Sequence, residues 1–125
     1  MNEDGWPRVV VVEDEAITVM LMKTSLRRMG MTVVDTCATG EEAVRVVLET
    51  ATDIVLMDIN LAGKIDGIEA ARRIGEESSI PIIFITGYSD PEHHDRAREL
   101  NPAGYLVKPV VFPELERLIR DSTRS

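Results

Sequence analysis

The stretch Asp53-Ile54-Val55-Leu56-Met57-Asp58 constrains the fold more than any other part of this chain. It is an apolar run with an acid at each end and no polar alternation. Short β-branched and leucine-rich runs of this kind suit a strand covered on both faces. Such a strand belongs in the middle of a parallel sheet, and its last residue emerges at the carboxyl edge. Open α/β sheets bind their ligands in the crevice along that edge. Asp58 is thereby a carboxylate delivered to a working site by a rigid element.

The rest of the chain alternates strand-like and helix-like segments around that run. Residues 8–12 form a strand signal followed by Glu13-Asp14-Glu15, and residues 16–29 are helical, closed by Gly30 just past their end. A second strand is expected over 31–38. Thr39-Gly40-Glu41-Glu42 has capping-box spacing and opens a helix reaching about Thr50. After the central strand comes a loop over 59–65, then a second capping box, Asp66-Gly67-Ile68-Glu69, for a helix ending near Glu77. The fourth strand is expected over 80–86, with Asp90-Pro91 as N-cap and first-turn proline of the next helix. Asn101-Pro102 stops that helix, a last strand spans 103–107, and Pro113 starts a final helix through Arg120. The pattern predicts an α/β, flavodoxin-like, doubly wound five-stranded parallel sheet with five helices and right-handed crossovers. The expected unit is a single domain over residues 1–125, its core about 7–121 and its last five residues a polar tail.

Under strand order 2-1-3-4-5, the first and third strands are neighbours and their carboxyl ends share one crevice. Glu13, Asp14 and Asp58 then meet, with Thr86 at the end of the fourth strand and Lys108 at the end of the fifth. Two carboxylates about 4 Å apart repel by about 4 kcal/mol at an effective dielectric of about 20. Something must offset that. A divalent cation with all-oxygen ligands is the natural answer, and Mg²⁺ favours a few carboxylates plus water. Taken singly, each signal has a plainer reading: a strand-end Asp is commonly a turn or cap residue, and Lys108 alone is solvated surface. Their joint placement at four strand ends is what carries weight.

These residues resemble the pattern of a response-regulator receiver domain: Glu13-Asp14, the strand ending in Asp58, Asp66-Gly67, Thr86 and Lys108-Pro109, in order and spacing. The resemblance covers nearly the whole chain. It implies that Asp58 is the phosphoacceptor, attacking a phosphohistidine on a histidine kinase or histidine phosphotransfer protein. It further implies Mg²⁺ or Mn²⁺ held by Asp14, Asp58 and the backbone carbonyl of Asn60, with Glu13 acting through water. Lys108 and Thr86 would contact the phosphoryl oxygens, Tyr105 would change rotamer with Thr86, and the Lys108-Pro109 bond would be cis. A phosphorylation-dependent homodimer is a further expectation of the family.

Two departures from the family pattern stand out. The loop between Asp58 and Asp66 is one residue longer than the commonest form and lacks its usual proline, and Val110-Val111 follows Pro109 where a phenylalanine is frequent. Gly63-Lys64 is no phosphate-binding loop, because the first glycine and the Ser/Thr of that motif are missing. Tyr88, two residues past Thr86, is expected to slow hydrolysis of the acyl phosphate. The first helix carries surplus apolar residues. Thr18, Leu21, Met22, Ser25, Leu26 and Met29 form one stripe, leaving Ala16, Ile17 and Met20 as a docking patch for the phosphodonor. Adjacent His93 and His94 diverge by about 100° on a helix, which disfavours a shared metal site and makes them surface residues. Trp6 is expected to pack at the end of the sheet away from the acids.

Composition excludes several other classes. The apolar share is 44%, the net charge -8, and no Lys/Arg cluster offers the phosphate neutralisation that direct nucleic-acid binding needs. No apolar run approaches the roughly 20 residues of a membrane span, and the N-terminus lacks the features of a signal peptide. Cys37 is alone, which excludes a disulfide framework, and a cytoplasmic location fits. An aspartyl-phosphate phosphatase of the same broad type is the competing enzyme reading; such enzymes carry a second acid two residues after the nucleophile, where this chain has Asn60. The chain is expected to be a signalling domain rather than an enzyme. With no helix-turn-helix after the last helix, it reads as a stand-alone regulator, a relay intermediate, or a receiver module from a hybrid kinase or larger regulator.

Overall fold

A computed structural model describes residues 6–87 and 91–124. Five strands, β1 (Arg8–Val12), β2 (Thr32–Cys37), β3 (Ile54–Asp58), β4 (Ile82–Thr86) and β5 (Gly104–Val107), form one parallel sheet in the order β2-β1-β3-β4-β5. Between and after them run α1 (Ala16–Arg28), α2 (Gly40–Glu49), α3 (Gly67–Glu77), α4 (Pro91–Arg98) and α5 (Phe112–Thr123). The fold is the doubly wound sheet expected from the sequence. Every residue of β3 and β4 is buried, as runs without polar alternation require.

The strands divide their side chains between two cores because successive residues point to opposite faces. Val10, Val12, Val55, Met57 and Phe84 pack with α2, α3 and α4 residues such as Val47, Ile74 and Ala97. Val9, Val11, Ile54, Leu56, Ile83 and Ile85 pack with Met22 and Leu26 of α1 and Leu115 and Ile119 of α5.

Helix ends follow local chemistry. Gly30 takes φ +82°, Gly30 N–H donates to Arg27 O and Met31 N–H to Leu26 O, which closes α1 with a Schellman motif. Thr39 and Asp66 accept the amides of Glu42 and Glu69, so both expected N-caps form. The reciprocal halves of the boxes do not: Glu42 accepts the Ala38 amide instead, and Glu69 is taken by Arg72 and Arg73.

Several boundaries differ from the sequence reading. β4 starts after Pro81, whose missing N–H cannot join the ladder. α5 runs beyond Arg120 to Thr123, with the Ser122 and Thr123 hydroxyls donating to Leu118 O and Ile119 O, so most of the expected tail is helical. Leu21, expected on the buried stripe of α1, is 56% exposed, because α1 turns only Met22 and Leu26 fully into the core. Trp6 precedes β1 at the end of the sheet away from Asp58 and is half exposed. No helix among the described residues is long and apolar enough to cross a membrane.

Candidate active site at the carboxyl rim

β1 and β3 are hydrogen-bonded neighbours, and Val12 pairs with Met57, so the residues that leave both strands emerge side by side. Carboxylate oxygens of Glu13, Asp14 and Asp58 all lie within 4.8 Å of one another. Glu13 and Asp58 are buried, whereas Asp14 faces solvent. β5 brings in the counter-charge: Lys108 Nζ donates to Glu13 Oε1 at 2.5 Å and to Asp58 Oδ2 at 3.2 Å. The Lys108-Pro109 peptide is cis.

The electrostatics record the crowding. Burial pushes the Glu13 carboxyl above its ordinary value, and neighbouring Asp58 pushes it the same way, against the opposing pull of Lys108. Burial alone would lower Lys108, but its bonds and charge interactions with Glu13 and Asp58 outweigh that and hold its pKa up. One ammonium thus faces two buried carboxylates, with the exposed Asp14 beside them. The donor set is all oxygen, with one acid open to solvent, and this fits Mg²⁺ or Mn²⁺.

Backbone contacts fix the surroundings of these carboxylates. Asn60 N–H donates to Asp58 Oδ1 at 3.1 Å, and Ala62 N–H to Asp14 Oδ2 at 3.0 Å. The close turn back from β3 into α3 accounts for Gly67. Its amide donates to Ile59 O at 2.8 Å, and a Cβ there would stand 2.0 Å from the Asp58 carbonyl oxygen. Only glycine fits. Thr86 is fully buried at the end of β4, and its carbonyl accepts the Lys108 amide at 2.7 Å.

Tyr105 lies on β5 beside Phe84 and is partly buried. The His94 ring meets it edge-on, with centroids 4.9 Å apart. His94, expected at the surface, is therefore only partly exposed and packs on an aromatic of interest. Ala16, Ile17 and Met20 are all exposed on α1, Ile17 by 79% and Met20 by 70%. Leu21 adds to that surface, lining with Met22, Pro109, Val110 and Phe112 a groove of about 250 Å³. Tyr88 and the expected cap Asp90 lie outside the described residues.

A parallel α/β sheet that brings three carboxylates and a lysine together at the ends of three strands defines an acidic rim whose oxygens suit a divalent cation. The sequence matches the family described as the response regulator receiver domain over residues 9–120, and the chain belongs to that family of two-component signalling domains. It is similar to the transcriptional regulatory protein PdtaR of Mycobacterium tuberculosis, at 35% identity over 108 residues, covering 86% of this chain and 52% of that protein. The chain spans about half the length of the curated relatives it matches. Among solved structures it resembles the signal receiver domain of a modulated diguanylate cyclase from Desulfovibrio desulfuricans G20, with TM-score 0.89, 40% identity and 94% of each chain covered. It also resembles the receiver domain of a Pseudomonas aeruginosa PAO1 sensor histidine kinase, which has a magnesium ion coordinated in its active-site cleft. That match has TM-score 0.85 and 28% identity, covering 96% of this chain and 99% of the other.

Proposed function

We propose that Asp58 accepts a phosphoryl group from a phosphohistidine on a histidine kinase or histidine phosphotransfer protein, and that the phosphorylated chain changes its protein contacts. The observation that carries this is the convergence of Glu13, Asp14 and Asp58 within 4.8 Å beneath Lys108. An Asp58 oxygen attacks phosphorus as the bond to the donor imidazole breaks, and the departing ring nitrogen keeps the electron pair and takes a proton. Asp58 supplies the nucleophile without needing a general base. Asp14, Asp58 and the Asn60 carbonyl would hold a divalent cation, with Glu13 acting through water, and it would supply positive charge to the transferring phosphoryl group. Lys108 supplies more from the other side, and Thr86 donates its hydroxyl to a phosphoryl oxygen.

The new group brings about -1.5 to -2 charges and three strong acceptors. Thr86 moving toward it vacates room that Tyr105 fills, which couples the rim to the face built by α4, β5 and α5. That face is the surface for a phosphorylation-dependent homodimer or a downstream protein. Ala16, Ile17, Met20 and Leu21 form the apolar dock for the phosphodonor's helices. The setting is cytoplasmic. The chain works either by itself, as a relay intermediate, or as the receiver part of a longer regulator or hybrid kinase.

Incubation with Mg²⁺ and a small phosphodonor separates this reading from its rivals. A phosphoacceptor yields a stoichiometric, hydroxylamine-labile adduct that disappears in Asp58→Asn. Continuous phosphate release would instead favour an aspartyl-phosphate phosphatase. No adduct and no turnover would leave a binding module that works without phosphate.

A further inference from the structure

The longer loop after β3 is held in place from α2. Glu41, in the first turn of α2, accepts the Lys64 amide at 3.1 Å and the Ile65 amide at 2.9 Å, both through Oε1. Two glycines make the approach possible. Gly63 has φ +103°, and a Cβ there would come within 2.8 Å of Glu41 Oε2. At the start of α2, a Cβ on Gly40 would come within 2.7 Å of Ile65 Cγ1. Thr39, the N-cap of α2, forms a parallel β-bridge with Ala62. That same Ala62 donates its amide to Asp14 Oδ2 at 3.0 Å. A continuous path of hydrogen bonds and close contacts thus runs from Glu41 to a candidate cation ligand.

We infer that Glu41 is a positioning residue for the cation site, clamping the loop so that the Ala62 amide fixes the orientation of the Asp14 carboxylate. This rests on the reading of the rim as a Mg²⁺ site. A carboxylate that gives one oxygen to a cation and the other to a fixed N–H is oriented before the ion arrives. Loss of such an outer partner typically costs about 10- to 100-fold in metal affinity. Glu41 makes no contact with the acids themselves, so its effect passes through loop geometry. Charge-assisted bonds from two adjacent amides to one oxygen suit it to that task.

The test is calorimetric titration of the full chain with Mg²⁺, in wild type, Glu41→Gln and Glu41→Ala, with amide hydrogen exchange read at residues 62, 64 and 65. The glutamine keeps an acceptor oxygen without the charge; the alanine loses both. Glu41→Ala is expected to raise the Mg²⁺ Kd about 10-fold or more and to speed exchange at all three amides. Glu41→Gln should restore most of the affinity. An unchanged Kd in Glu41→Ala overturns the inference while leaving the cation site intact. Equal weakening in both variants also overturns it, because charge at a distance would then explain the loss. Absence of Mg²⁺ binding in the wild type would overturn the cation site itself, and the clamp with it.

Discussion

Helices α1 and α3 cover opposite faces of the sheet and use their apolar residues in opposite ways. In α3, Ile68, Ala70, Ala71 and Ile74 are all buried, and Asp66 caps the first turn. Its outer face is laced by Glu69 to Arg72 at 2.6 Å and Arg73 at 2.9 Å, and by Arg72 to Glu76 at 2.9 Å. In α1 no side chain caps the N-terminus and only Met22 and Leu26 are buried, while Ile17, Met20 and Leu21 stand in solvent next to the acidic rim. One helix completes its burial within the molecule. The other leaves apolar surface open beside the rim, where the proposed phosphodonor would approach. Exposed apolar surface at such a place costs solubility and marks a contact site.

The largest effect that would break this contrast is on stability. Ile74 is fully buried, so Ile74→Ala should cost about 2–5 kcal/mol in urea unfolding, whereas Met20→Ala should change stability by less than about 0.5 kcal/mol. Comparable losses would mean that α1 is as much a packing helix as α3. Next comes transfer. Met20→Glu should slow phosphorylation by a phosphohistidine donor about 10-fold, as loss of a contact anchor does, and leave phosphorylation by a small phosphodonor unchanged. Equal slowing of both would remove the docking role. A smaller effect is expected at the caps. Asp66→Ala should cost about 1 kcal/mol, and Glu15→Ala at the start of α1, whose side chain makes no cap bond, markedly less.

The finest test is in the pH dependence, where α3 and the rim carry opposite signs. Arg72 and Arg73 hold Glu69 down from 4.5 to about 2. Its contribution is therefore present above pH 4.5 and lost as pH falls toward 2. Glu13 is raised from 4.5 by burial and by Asp58, so the folded state binds its proton more tightly than the unfolded chain does. Glu13 thus favours the fold below pH 4.5, and that advantage is lost as pH rises through its folded value. Thermal unfolding should show Glu13→Gln more stable than wild type at neutral pH, with the gain shrinking on acidification toward pH 4.5. A variant less stable than wild type at neutral pH would show that the bond to Lys108 outweighs the crowding.

Much of this architecture was legible because the signals were local. Apolar runs named the strands, and Asp58, Asp14 and Lys108 became a site once strand order put their ends together. Glu41 escaped notice because its partners, Lys64 and Ile65, lie across a loop whose path no local pattern specifies; its only signal was an acid at a helix start facing a glycine-bearing loop. Leu21 was assigned to the core because helical periodicity locates a stripe but not its width. His94 looked like plain surface since its contact with Tyr105 depends on how α4 settles over β5.

Most direct is chemical mapping of the phosphorylated residue. Wild-type chain treated with Mg²⁺ and a small phosphodonor, then reduced with borohydride and digested, should carry the reduced aspartyl product at position 58, and none when Mg²⁺ is chelated. Label at any other residue, or the same yield without a divalent cation, would contradict the account of the rim.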